Sequence, residues 1–147
     1  MKYKNILLVN DNTDDAEIFV SVLNAINHKI KSSVEDSALE ALKKLQDSKL
    51  SPDIIFLDYN MSYLDGSVFL KLLRDIKSLK KIPVVLYSQN SGVMLQDALS
   101  KFKKVKFLKK HSNFRKLFES LQKIMISEKA VKKKNNGFKI EASDEGI

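Results

Sequence analysis

The chain has 147 residues, 44% of them hydrophobic and 30% charged, the size and composition of one globular domain. It holds no cysteine, which excludes disulfides and thiolate metal sites, and no apolar run approaches the roughly 20 residues that cross a bilayer. The formal charge of +8 can attract nucleic acid, anionic lipid or acidic protein, yet the lysines are spread along most helical segments, as on a solvated surface.

Two kinds of segment alternate along the chain. The first is an apolar run over Asn5–Asn10 that reads as a buried strand. Its apolar part, Ile6 to Val9, is too short for a signal-peptide core, so a cytoplasmic protein with no membrane contact is expected. Asp14–Asn27 then has helical period, with Ile18, Val22, Leu23 and Ile26 on one stripe. Asn12 or Thr13 can cap it, and Asp14, Asp15 and Glu17 suit its positive end. Ile30–Val34 is a weaker strand, and Ser37–Gln46 a helix with Leu39, Leu42 and Leu45 inward, capped by Asp36 or Ser37. Ile54–Asp58 is a strand, and Ser67–Ile76 a helix carrying Phe69, Leu72, Leu73 and Ile76. Ile82–Ser88 is a strand, followed by a helix at Val93–Lys101 with Leu95, Ala98, Leu99 and Phe102 inward. Val105–Leu108 is the last strand, and Phe114–Ile126 the last helix, with Leu117, Phe118, Leu121, Ile124 and Met125 inward and Ser112 or Asn113 as its cap.

Five β-then-α units in strict alternation point to an α/β fold with a parallel sheet. Five strands are too few for a closed barrel, so an open doubly wound sheet is expected. Residues 1–126 form that domain. Residues 127–147 begin with Lys129-Ala-Val-Lys-Lys-Lys134, end sparsely acidic, lack an apolar stripe and read as a mobile tail.

Doubly wound sheets bind ligands outside the carboxyl ends of their strands. Here those ends carry Asn10-Asp11-Asn12, Asp58-Tyr59-Asn60, Ser88 and Lys109-Lys110. In the strand order 2-1-3-4-5, they meet at one rim. Two carboxylates with a backbone carbonyl form a hard oxygen site suited to Mg²⁺. A carboxylate there can attack a phosphoryl donor, while a lysine and a hydroxyl neutralise the phosphoryl oxygens. His28 and His111 have no Ser or Cys partner at a motif spacing.

These residues carry a resemblance. Ile6-Leu-Leu-Val-Asn-Asp-Asn-Thr-Asp-Asp15 resembles the opening of bacterial response-regulator receiver domains, above all single-domain ones. Pro52-Asp-Ile-Ile-Phe-Leu-Asp-Tyr-Asn-Met-Ser-Tyr-Leu-Asp-Gly66 resembles their phosphoacceptor segment. Ile82-Pro-Val-Val-Leu-Tyr-Ser88 and Phe107-Leu-Lys-Lys-His-Ser-Asn-Phe114 resemble their fourth strand and their fifth strand with the start of the last helix. The resemblance spans residues of about 4 to 126 and implies the flavodoxin-like receiver fold. It implies Asp58 as the phosphoacceptor, and Asp11, Asp58 and the Asn60 carbonyl as Mg²⁺ ligands, with Asn10 assisting weakly through water. Ser88 and Lys110 would contact the phosphoryl group, Phe107 would sit at an aromatic switch position, and Asn60 and Asn90 would tune the lifetime of the acyl phosphate. The implied partners are a sensor histidine kinase or histidine phosphotransfer protein and an unidentified downstream protein, with a homodimer through the fourth and fifth helices as a further option. The implied role is a phosphoacceptor that assists its own phosphotransfer and dephosphorylation, not an enzyme.

Three positions depart from the family pattern. Asn10 stands where an acid is usual, which weakens metal binding by about 1–3 kcal/mol at an intermediate dielectric. Ser62 replaces a proline and loosens the loop after the acceptor. His111 replaces a proline that is usually cis, so either a trans bond or a strained cis one is expected after Lys110. Asn10 and His111 motivate the alternative of a pseudo-receiver, a binding module with impaired metal binding or phosphorylation. A nucleotide- or flavin-dependent enzyme fits poorly, because the loops after the first and third strands lack a glycine-rich cradle. Nucleic-acid binding through the lysines is the remaining, weaker option.

Overall fold

The structure is a computed structural model and describes residues 2–61, 66–89 and 92–126. Ser62, Asn90 and the 127–147 segment lie outside the described residues. Ten elements alternate: β1 (Asn5–Val9), α1 (Thr13–Ile26), β2 (Lys31–Glu35), α2 (Ala38–Gln46), β3 (Ile54–Asp58), α3 (Gly66–Asp75), β4 (Val84–Ser88), α4 (Val93–Lys101), β5 (Val105–Lys109) and α5 (Phe114–Ile126). All strand pairs are parallel, in the order β2-β1-β3-β4-β5. The expected doubly wound architecture and strand order are those of the molecule.

Why these runs become inner strands follows from burial. Every residue of β3 and β4 is buried, and all but the terminal Asp58 and Ser88 are the β-branched or large apolar side chains that suit a strand covered on both faces. Alternation along the strands sorts them into two layers. Leu7, Val9, Ile55, Leu57, Val84, Leu86 and Phe107 face α2, α3 and α4. Ile6, Leu8, Phe56, Val85, Tyr87 and Leu108 face α1 and α5. β2 at the sheet edge, Lys-Ser-Ser-Val-Glu, is only partly covered, which accounts for its weak signal in the sequence. Pro83 lacks an N–H, and β4 starts after it.

The caps are specific. Asn12 Oδ1 accepts from the Asp15 N–H at 2.9 Å, Ser37 Oγ from the Glu40 N–H at 3.2 Å, and Asn113 Oδ1 from the Lys116 N–H at 3.2 Å. Among the described residues, no helix is long and apolar enough to cross a membrane.

The helix stripes need correction at three positions. Ile18, Leu39 and Leu72, expected inward, are 45%, 60% and 42% exposed. Their places are taken by Phe19, by Ala38 and Ala41, and by Leu70. Neighbouring apolar residues on a helix lie about 100° apart, so the sequence shows a wide stripe while the sheet admits only its middle. On α2 the two alanines let the helix lie close to the sheet, and Leu39 is turned out. Phe19 is fully buried and meets Phe56 and Tyr87 edge-on, with ring centroids 4.9 and 5.3 Å away.

Phe19→Ala therefore opens a cavity beside the Phe56 and Tyr87 rings. We expect a loss of about 3–5 kcal/mol in unfolding stability, read from a lowered urea midpoint at unchanged m-value.

Candidate functional site

The parallel register delivers the site. Asp58 closes β3 opposite Tyr87 of β4, and Ser88 closes β4 opposite Lys109 of β5. The ladder runs slightly past the strands: Tyr59 N–H donates to the Tyr87 carbonyl at 2.9 Å, and Lys110 N–H to the Ser88 carbonyl at 2.8 Å. The loop residues next to Asp58 and Ser88 thus start from fixed positions. Asp58 is 4% exposed, and each of its oxygens has a partner. Oδ1 accepts from the Asn60 N–H at 3.0 Å, and Oδ2 from Lys110 Nζ at 3.1 Å. A carboxylate buried this deeply needs such partners to stay charged.

Lys110 is almost as enclosed, with its side chain 12% exposed. Its ammonium lies 5.3 Å from the Tyr87 ring centroid and 3.1 Å from Asp15 Oδ2. Of the two neighbouring lysines at the end of β5, Lys110 is the one whose ammonium reaches Asp58. The Lys110–His111 bond is trans, the first of the two expected outcomes, and it leaves Lys110 in place.

The other residues singled out in the sequence divide by environment. Ser88 is buried beside Asp58's strand and Phe107 is buried on the α2–α4 side of the sheet. Asp11 is exposed at the β1–α1 turn. Asn10 is 1% exposed, and its Oδ1 accepts from the Asn12 N–H at 2.8 Å. Its Nδ2 is buried with no hydrogen-bond partner. The amide oxygen is thus already engaged in shaping the turn, and the remaining group is a donor, which suits neither a cation nor the outward-pointing hydrogens of a water bound to it.

The donor set still fits a small hard cation. Asp11, Asp58 and the Asn60 carbonyl are oxygen donors at one rim, and Mg²⁺ commonly takes one or two carboxylates and keeps waters. Among the described residues, no group of three or more His, Cys, Asp or Glu could hold a metal ion.

Three residues near the site carried no chemical role in the sequence reading. Asp15 was legible only as an acid in the first turn of α1; nothing local signals its pairing with Lys110, 95 positions away. Tyr59 donates its hydroxyl to the Met94 carbonyl in the first turn of α4 at 3.3 Å. Its ring lies over Gly66 so closely that a Cβ there would collide with it, which gives that glycine a reason. Tyr87, 3% exposed, completes the enclosure of Lys110.

Burial first, then the carboxylates of Asp15 and Asp58, push the Tyr87 phenol well above the ordinary tyrosine value. Because the neutral form is favoured, the folded chain holds that proton more tightly than the unfolded chain. This contribution to stability is complete below the unfolded value, about pH 10, and is lost as pH rises beyond it. We expect one tyrosine to titrate last in near-ultraviolet absorbance, and that late step to vanish in Tyr87→Phe.

Comparison with known proteins places this geometry. The model of the response regulator receiver domain matches residues 6–122. The Mn²⁺-bound form of response regulator Rcp1 is similar over 82% of this chain and 91% of its own, at 27% identity and a TM-score of 0.69. The phosphorylated cyanobacterial phytochrome response regulator RcpA is similar over 83% of this chain and 91% of its own, at 25% identity and a TM-score of 0.70. Among curated proteins, hybrid signal transduction histidine kinase M of Dictyostelium discoideum is 26% identical over 125 residues, which is 83% of this chain and 5% of that protein. The chain thus spans only a small part of that relative. With five parallel strands in the receiver order and the family match covering most of the sequence, the chain belongs to the response regulator receiver domain family.

Proposed function

We propose that this receiver accepts a phosphoryl group on Asp58 from a phosphohistidine of a sensor histidine kinase or histidine phosphotransfer protein. The observation that carries the reading is the Lys110 ammonium 3.1 Å from Asp58 Oδ2 at the carboxyl end of β3. In the transfer, an Asp58 oxygen forms a bond to phosphorus as the phosphorus–nitrogen bond of the donor breaks. The donor imidazole keeps the electron pair, and Asp58 becomes an acyl phosphate. Lys110 neutralises charge on the phosphoryl oxygens, and Ser88 is the hydroxyl that follows them. Asn60 and, beyond the described residues, Asn90 tune the lifetime of the product.

A divalent cation, Mg²⁺ in this reading, would be held by Asp11, Asp58 and the Asn60 carbonyl and would supply further charge neutralisation at the phosphoryl oxygens. Asn10, with its oxygen committed to Asn12, adds little to that hold. The same observation supports the second reading, a pseudo-receiver with impaired metal binding.

Output passes through protein contacts. Tyr59 ties the segment after Asp58 to the first turn of α4, where Val93 and Met94 are 86% and 63% exposed. A new charge on Asp58 would pull on Ser88, Lys110 and this tie, and so change the surface from Val93 to Phe118, with Phe107 beneath it. That surface is offered to a downstream protein or to a second copy of the chain through α4 and α5. The receiver unit spans residues 1–126 and acts in the cytoplasm.

Incubation with a small acyl-phosphate donor and Mg²⁺ should add one phosphoryl group by intact mass, and Asp58→Ala should take none. No uptake by the native chain would favour the pseudo-receiver. Asn10→Asp leaves one oxygen for Asn12 and frees the other, so calorimetric titration should show Mg²⁺ binding tightened by about fivefold to a hundredfold. An unchanged affinity would remove Asn10 from the metal argument.

A further inference from the structure

One ammonium serves two carboxylates in this site. Lys110 Nζ lies 3.1 Å from Asp58 Oδ2 and 3.1 Å from Asp15 Oδ2, although Asp58 is 4% exposed and Asp15 37%. Asp15 does not arrive there on a loose loop. It sits in the first turn of α1, its N–H held by the Asn12 side chain at 2.9 Å, and the positive end of the helix favours its charge. Lys110 is equally constrained, by its N–H bond to the Ser88 carbonyl and by the Tyr87 ring. The three charged groups therefore come from β3, α1 and the end of β5, and none can move far without disturbing its element.

We propose that Asp15 is a positioning residue that competes with the Asp58 side for the Lys110 ammonium, and so limits how readily Asp58 takes up and keeps a phosphoryl group. The inference rests on the reading of Asp58 as the phosphoacceptor. Before transfer, one cation shared by two anions is held in a defined place. After transfer, the group on Asp58 carries a charge of about −1.5 to −2 and three acceptor oxygens, and it draws on the same lysine. Asp15 holds part of that cation back. Its carboxylate costs the phosphorylated chain more than the unphosphorylated one, and the difference is set by a residue that touches neither phosphorus nor donor.

The experiment measures the concentration of small acyl-phosphate donor that half-phosphorylates the chain at fixed Mg²⁺, by intact mass. Asp15→Asn removes the competing charge with little change of shape. We expect the half-phosphorylating concentration to fall about threefold to tenfold, the size of one unit-charge interaction over a few ångströms at intermediate dielectric. Asp15→Glu should return most of the native value. The control is Asp14→Asn, which removes the same charge from the same helical turn at an exposed residue with no ion pair among the described residues. It should shift the value less than about twofold. A merely structural or bulk-charge role predicts otherwise. Asp15→Asn equal to native, or Asp14→Asn equal to Asp15→Asn, overturns the proposal. Asp15→Ser supplies the same test should the amide disturb the start of α1. A native chain that takes up no phosphoryl group overturns the phosphoacceptor reading itself, and this inference with it, which is a different result from phosphorylation insensitive to Asp15.

Discussion

A carboxylate buried at the end of the central strand is the constraint around which the rest of this molecule is arranged. Asp58 is 4% exposed, and an ionised group so far from water is tolerated only with charged or hydrogen-bonding partners. One oxygen takes the Asn60 N–H and the other the Lys110 ammonium. That second contact requires β5 to lie where it does, two strands away across β4, with the chain leaving β5 under control of the Lys110–Ser88 backbone bond. It also requires something to enclose the lysine, which Tyr87 and Asp15 do. Sheet order and the placement of α1 thus bring three charged groups from separate elements together.

The departures from the family pattern become intelligible in the same terms. Replacing an acid by Asn10 at the end of β1 keeps the turn, because the amide oxygen still accepts from Asn12. It does not keep the second acceptor, and the orphaned Nδ2 is the visible trace of that loss. Replacing proline by His111 leaves a trans bond, and Lys110 nonetheless reaches Asp58. In this chain the lysine is oriented by its anionic neighbours and by a ring, groups that belong to other elements.

Tyr59 and Gly66 show how a site of this kind is connected to its surroundings. The ring follows directly after Asp58 and closes over a residue with no side chain, and its hydroxyl ends on the first turn of α4. The residue after Asp58 is thereby joined by a hydrogen bond to a helix whose first residues, Val93 and Met94, are apolar and exposed. Apolar side chains in that position are surface a partner can cover, and they lie one hydrogen bond from the candidate acceptor loop.

By itself the sequence determined the element types, their order and the rim at which the candidate site lies. Buried parallel strands read as unbroken apolar runs such as Ile54–Leu57, and polar residues at their ends, Asp11, Asp58, Ser88 and Lys110, stand out against them. Local signals also narrowed each of three caps to two neighbouring residues, and the structure chose Asn12, Ser37 and Asn113, which act within three residues of themselves. Only the tertiary structure decided which apolar residues face inward: Ile18 and Phe19 are equally apolar, and the sheet selects Phe19 because Phe56 and Tyr87 wait beneath it. It alone brought Asp15 to Lys110, and it alone showed that Asn10 has already committed its oxygen. Pairings of this sort depend on where two distant backbones lie to within an ångström, and hydrophobic period carries no information at that scale.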